Sequence, residues 1–295
     1  MTKKRQFLNV LIVLLLLAVG VGAFLVSRGR SSNVPELSIV QEEVPQIVIP
    51  EPTIEPLFYS SITLVTDKPG KEVTDAVGFE NLDTVLSLNR IDQKHFQKGQ
   101  LIVYPSRFGD MYSLSSFPRN IPELAQVPKM IFIAQEIQEF GAYEYGTLVR
   151  FGGISTGKKS TPTTNKLFFT NWKGKEVVST SNDEWILKWN FNIDNLDGIG
   201  IHEYELPGYP ASHSCIRFSA SDALWFYDWA DQWVLSDDGN TVIQNGTPVL
   251  VFGSYDYGAT APWKKLPEDP YAMTLRPQDI SEALSPHLSE LVSQI

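Results

Sequence analysis

The sequence predicts a mostly β domain with few helices, occupying residues 128–255 of a 295-residue chain. Two observations carry that prediction. Residues 130–140 read MIFIAQEIQEF, with apolar side chains recurring at the spacing of a strand; a turn at Gly141 and a return through Glu144 to Arg150 follow. Further short apolar runs occupy Lys166–Thr170 and Thr247–Phe252, and a segment of this size can bury its own core.

Before this domain, the chain changes composition three times. Residues 7–26, FLNVLIVLLLLAVGVGAFLV, are apolar for about 20 positions, enough to cross a bilayer as a helix. Lys3, Lys4 and Arg5 precede the run, so residues 1–30 are expected to form a cytoplasmic stub and an uncleaved signal anchor. The remainder then lies on the outer face of the membrane. Residues 31–57 set Pro35, Pro45, Pro50, Pro52 and Pro56 among five glutamates, which suits an extended linker. Residues 58–107 form a small α+β segment. Within it Val85, Leu86 and Leu88 mark a short helix stopped at Asn89, and Leu101–Tyr104 mark a strand ended by Pro105. Residues 108–127 are turn-rich and read as a connector. The tail, 256–295, holds a helix from Pro277 to Ser293 that Pro286 interrupts, with Ile280, Leu284 and Leu288 on one side.

The chemistry concentrates in one stretch, Ile201–Arg217, IHEYELPGYPASHSCIR. It contains two of the four histidines, His202 and His213, and the single cysteine, Cys215. A thiol attacks only when its pKa falls below the usual value of about 8.5 or when a base removes its proton. Pro207, Gly208 and Pro210 allow the intervening loop to fold back and bring His202 against Cys215. Zinc coordination by His202, His213 and Cys215 is a second reading, but structural zinc sites use four ligands with paired spacing. A net charge of -10 excludes nucleic acid as a partner, because phosphate binding needs a basic face.

The segment resembles the signature of the L,D-transpeptidase catalytic domain, the YkuD family. In that signature a histidine is followed, after a variable loop, by Ser/Thr-His-Gly-Cys, a hydrophobic residue and Arg or Asn. The matching positions are His202, then Ser212, His213, Ser214, Cys215, Ile216 and Arg217. STGKKSTP at Ser155–Pro162 and GTPVLVF near the end of the domain resemble two further family motifs. The continuation FSASDALWFYDWA resembles the helix that follows the nucleophile, with Ser219 or Ser221 as its cap. Asp83–Pro105, with its Asn89 and its KGQLIVYP ending, is similar to the second half of a LysM module, a small β-α-α-β glycan-binding unit in which an Asn after the helix and a K-G-Q-x-L-x-x-P ending recur.

The resemblance implies a β-sandwich catalytic domain, no cofactor and no metal. It also implies a substrate, the peptidoglycan stem tetrapeptide, with Cys215 as nucleophile forming a thioester, D-Ala leaving, and the acyl group passing to an amine in a 3-3 cross-link. His202 is then the general base, oriented by the backbone carbonyl of Glu203. His213 and the backbone N–H groups of Ser214 and Cys215 form the oxyanion pocket, and Arg217 and Ser212 contact substrate. Two positions depart from the family pattern. Ser214 stands where Gly is expected, and Thr164 replaces the Gly of T-P-x-G. Ser at 214 implies backbone strain of about 1 kcal/mol or more. The alternatives are an L,D-carboxypeptidase that releases D-Ala to water and a non-catalytic wall-binding protein.

Overall fold

The computed structural model describes residues 57–179 and 182–293. The expected anchor at 7–26 and nearly all of the linker lie outside them, and among the described residues no helix is long and apolar enough to cross a membrane.

The first module runs β1 (Tyr59–Thr63), α1 (Pro69–Val77), α2 (Leu82–Asn89) and β2 (Leu101–Pro105). Its two strands pair antiparallel from Tyr59 opposite Pro105 to Thr63 opposite Leu101, giving a β-α-α-β order. Leu64, Val73, Val85, Ile91 and Ile102 form its core. Asn89 ends α2 and locks it to β2. Its amide donates to the Val103 carbonyl at 2.7 Å, and its side-chain oxygen accepts from the Val103 N–H at 2.9 Å. Arg90 then takes a left-handed conformation, φ 55°, which turns the chain away from the helix.

The central domain contains β3 (Lys129–Ala134), β4 (Glu139–Glu144), β5 (Thr147–Gly153), β6 (Lys166–Phe169), β7 (Lys173–Val178), β8 (Ile186–Asp194), β9 (Ile199–Glu203) and β10 (Ile216–Phe218). Helix α3 (Ala220–Trp229), the short pair β11 (Val234–Leu235) and β12 (Val242–Gln244), and β13 (Pro248–Phe252) complete it. One sheet has the order β5-β4-β3-β13-β6 and the other β10-β9-β8-β7. They pack face to face: Ile131, Ile133, Phe140, Val249 and Val251 of the first meet Phe191, Ile193, Ile199, Ile201 and Phe218 of the second. Phe140 and Phe218 stack across this interface, 4.3 Å between centroids.

The expected turn at Gly141 is corrected. Gly141 lies inside β4 opposite Phe132, and a Cβ there would come within 2.8 Å of the Phe117 ring. The glycine admits an aromatic ring, and the turns fall on either side of it. Residues 135–138 join β3 to β4, and Tyr145–Gly146, both with positive φ, join β4 to β5 as a two-residue hairpin. MIFIA also has apolar residues on both faces because both are buried. Met130, Phe132 and Ala134 turn away from the sandwich into a second core, formed with Phe117, Ile121, Leu124 and Val127 of the connector and Trp263, Ile280, Leu284 and Leu291 of the tail. Leu88 and Val103 of the first module enter the same core. The tail forms α4 (Pro277–Leu284) and α5 (Leu288–Ser293), separated by a single 3-10 turn that contains Pro286.

A buried ion pair ties these parts together. Arg90 Nη2 donates to Glu139 Oε2 at 2.6 Å and Arg90 Nε to the Ile137 carbonyl at 3.0 Å, while the guanidinium lies 5.1 Å from the Trp263 ring. Ser116 donates to the same carboxylate through its N–H and its hydroxyl. Every charged atom therefore has partners, the condition under which such a pair is tolerated in an interior.

Candidate active site

His202 sits near the end of β9. Alternation along the strand sends Ile199 and Ile201 into the sandwich core and His202 to the opposite face, where it is only 3% exposed. Its Nδ1–H donates to the Glu203 carbonyl at 2.9 Å, so Nε2 is the unprotonated nitrogen, free to accept a proton. Burial pushes the imidazole pKa down to about 4; the Glu203 carbonyl opposes this and the Arg217 guanidinium adds to it. Tyr204 stands edge-on to the ring, 6.0 Å between centroids.

After Glu203 the chain leaves the sheet and returns as β10, parallel to β9, with Arg217 opposite His202. Cys215 immediately precedes β10 and is thereby carried to the mouth of the same strand pair. Its half-buried Sγ lies 3.7 Å from the Gly198 carbonyl. Burial raises the thiol pKa, outweighing the hydrogen bond from the Gly200 backbone and the charge of Arg217. A lowered histidine and a raised cysteine mean that both groups rest neutral. Of the two routes to a nucleophile, a low thiol pKa or proton removal by a base, the environment leaves the second.

Ser214 has φ 80°, the conformation that a glycine would adopt without cost. Thr163, the residue after STGKKSTP, holds it there. Thr163 Oγ1 donates to the Ser214 carbonyl at 2.8 Å and accepts from the Gly157 N–H at 2.9 Å. A Cβ on Gly157 would lie 2.3 Å from the Thr161 carbonyl, so the segment closes only around glycine. Ser212 is buried between the same strands of contact. Its N–H donates to the Thr156 carbonyl at 3.0 Å, its carbonyl accepts from the Lys158 N–H at 2.9 Å, and its hydroxyl donates to the Cys215 carbonyl at 2.5 Å. Ser212 therefore shapes the nucleophile loop from within. Among the described residues neither the Ser214 nor the Cys215 N–H donates to a protein acceptor. Thr164 is exposed, which explains why a side chain fits where the family motif has Gly.

His213 is exposed. Lys158 Nζ is 3.0 Å from His213 Nε2, and the Trp185 ring packs against the imidazole, 5.2 Å between centroids. Arg217 is half-buried. Its Nη1 and Nη2 donate to the Glu205 and Ala211 carbonyls, both at 3.3 Å, and its guanidinium lies over the Tyr204 ring at 4.5 Å. It thus braces the two ends of the 204–211 loop with part of its hydrogen-bonding capacity.

Sequence reasoning missed a further support for that loop, supplied by the first module. The Asp92 N–H donates to the Leu206 carbonyl at 2.9 Å, Asp92 Oδ2 accepts from the Leu206 N–H at 3.0 Å, and the Gly208 N–H donates to the Arg90 carbonyl at 2.8 Å. No local signal could have found Asp92, because it lies 114 positions from its partner. Lys158 was visible inside STGKKSTP and Thr163 inside T-P-x-G, without a role. A cavity of about 850 Å³ opens between the first module and the central domain, lined by Leu86, Ile91, Arg150, Tyr204 and Asp222 among others. Neither Cys215 nor His202 lines it.

Residues 129–251 match the family model described as the YkuD L,D-transpeptidase catalytic domain. Similar solved structures include an L,D-transpeptidase (Yku) from Stackebrandtia nassauensis, at 20% identity over 43% of this chain and 57% of that one, TM-score 0.35. An L,D-transpeptidase from Mycobacterium smegmatis gives 19% identity over 43% and 59%, TM-score 0.34. The L,D-transpeptidase (residues 123–326) from Xylanimonas cellulosilytica DSM 15894 gives 22% over 59% and 81%, TM-score 0.39. The chain thus spans under two thirds of the length of the first two. No curated protein matches the chain.

Proposed function

From the premise that residues 129–251 form a catalytic domain of the L,D-transpeptidase (YkuD) family, we propose that this chain is a cysteine-dependent acyltransferase acting on peptidoglycan stem tetrapeptides. The observation that carries the reading is the parallel pairing of β9 with β10. It sets a buried histidine with a free Nε2 beside the strand that Cys215 leads into.

The steps follow from those atoms. Nε2 of His202 takes the thiol proton as Sγ bonds to the carbonyl carbon at the L-centre, and the carbonyl electron pair moves onto oxygen. The N–H groups of Ser214 and Cys215 are suited to receive that oxyanion. Collapse of the adduct breaks the C–N bond, and the departing D-Ala amine takes the proton from His202. An amine of a second stem then attacks the thioester, His202 accepts its proton, and that proton returns to Sγ as the 3-3 cross-link forms. Arg217 retains N–H donors beyond those spent on the loop and is assigned to a substrate carboxylate.

The apolar run at 7–26 and the Pro/Glu-rich linker support a single-pass anchor with this domain on the outer side of the membrane. The β-α-α-β order of residues 59–105 supports a LysM-like module with affinity for glycan. The test is incubation of the chain with disaccharide-tetrapeptide, followed by mass spectrometry beside a Cys215→Ala control. Cysteine-dependent dimer establishes the transpeptidase. Tripeptide without dimer moves the assignment to an L,D-carboxypeptidase, and unchanged substrate with no acylated protein to a wall-binding protein.

A further inference from the structure

The two histidines that flank the nucleophile loop leave opposite ring nitrogens unspent. His202 spends its Nδ1–H on a carbonyl and keeps an acceptor. At His213 the partner is an ammonium group, which has three donors and no acceptor, so Nε2 must be the unprotonated nitrogen and Nδ1 must carry the hydrogen. Lys158 can impose this because its own backbone is fixed: its N–H is bonded to the Ser212 carbonyl, next to His213 in the chain. Trp185 limits the ring from one side.

We propose that Lys158 is a positioning residue that fixes His213 as a hydrogen-bond donor, assigning that ring to the substrate oxygen and excluding it from the role of base. The assignment deepens the acyl-transfer reading and rests on it for the identity of the oxygen. The division of labour is then set by the partners: a carbonyl makes His202 the proton acceptor, and an ammonium makes His213 the donor. Such a donor acts where charge develops on a carbonyl oxygen, and it has nothing to stabilise in a reaction that forms no oxyanion.

The experiment compares the full chain with Lys158→Met and Lys158→Arg. The chain has four histidines, so ¹⁵N labelling of their rings gives few enough signals to follow His213. The expected result is an unprotonated Nε2 and protonated Nδ1 at His213 in the unaltered chain and in Lys158→Arg, and loss of that preference in Lys158→Met. Acylation of Cys215 by p-nitrophenyl acetate, which forms an oxyanion, should slow about tenfold in Lys158→Met and recover to within about threefold in Lys158→Arg. Alkylation by iodoacetamide, which forms none, should be unchanged in both. An unchanged His213 tautomer in Lys158→Met overturns the proposal, as does equal slowing of acylation and alkylation, or slowing of neither. Because the ester needs no stem peptide, a chain that fails on tetrapeptide yet shows these differences refutes the substrate reading alone.

Discussion

His202 and His213 lie eleven positions apart on either side of one loop, yet the molecule treats them differently. His202 is held by main chain, inside a strand pair and away from water; His213 is held by side chains, at the surface, on a lysine and a tryptophan. On the proposed roles, the difference teaches that proton acceptance would be built into the sheet, whereas the donor side would be built on a loop whose geometry other segments must supply. Strand pairing is costly to disturb. A loop template can be altered one hydrogen bond at a time.

The sharpest way to break the comparison is on the buried side. His202→Gln should lower Cys215 acylation roughly a thousandfold, within the range for loss of a general base, with little change in thermal midpoint. Stopped-flow acylation and a melting curve check both halves. Equal activity in His202→Gln would mean that the sheet supplies no base.

The next effect concerns the scaffold under the loop. Glu139→Gln leaves Arg90 buried without its counter-charge and should cost roughly 3 kcal/mol in urea unfolding. It should also loosen residues 204–208, since Arg90 and Asp92 grip them; amide hydrogen exchange at Leu206 and Gly208 reads that.

The pH dependence sharpens the buried side further. Between about 4 and the ordinary 6.5 the unfolded chain binds a proton at His202 that the folded chain refuses. The stability from this group is fully present above 6.5 and declines as pH falls toward 4, by about 3 kcal/mol in all. Unfolding of the native chain and of His202→Gln across that window should show the decline in the first and its absence in the second. For the same reason acylation should persist at pH 5.5, where a histidine of ordinary pKa would retain only about a tenth of its neutral form.

The smallest effect lies on the loop side. Ser214→Gly removes the strain of φ 80° and should stabilise the folded chain by about 1 kcal/mol, less the entropy that glycine adds to the unfolded chain. Acylation should stay within a few-fold, because Thr163 still holds the carbonyl of residue 214.

Part of the candidate site was legible before any coordinates. The clustering of His202 and Cys215 is read from residue types within one short stretch, whereas the Glu203 carbonyl as partner of His202 and the backbone cost at Ser214 were implied by the family resemblance, and the structure has that hydrogen bond and a φ of 80°. Gly141 misled because a glycine in a strand and a glycine in a turn look alike until the ring of Phe117 is placed against one of them. Lys158 stood inside a recognised motif, but its partner is 55 positions away, and only the fold sets the two side chains together.

The sequence by itself determined the candidate reacting groups, the β character of the central domain and the interrupted tail helix, because these depend on local periodicity and side-chain chemistry; the unusual backbone at 214 was read from the family resemblance. The tertiary structure decided the rest: that the first module and the tail share a core with the central sheet, that burial raises the thiol pKa, and that Asp92, Thr163 and Lys158 hold the nucleophile loop. Burial and long-range hydrogen bonds depend on which distant residues meet, and no pattern within a short stretch of chain encodes that.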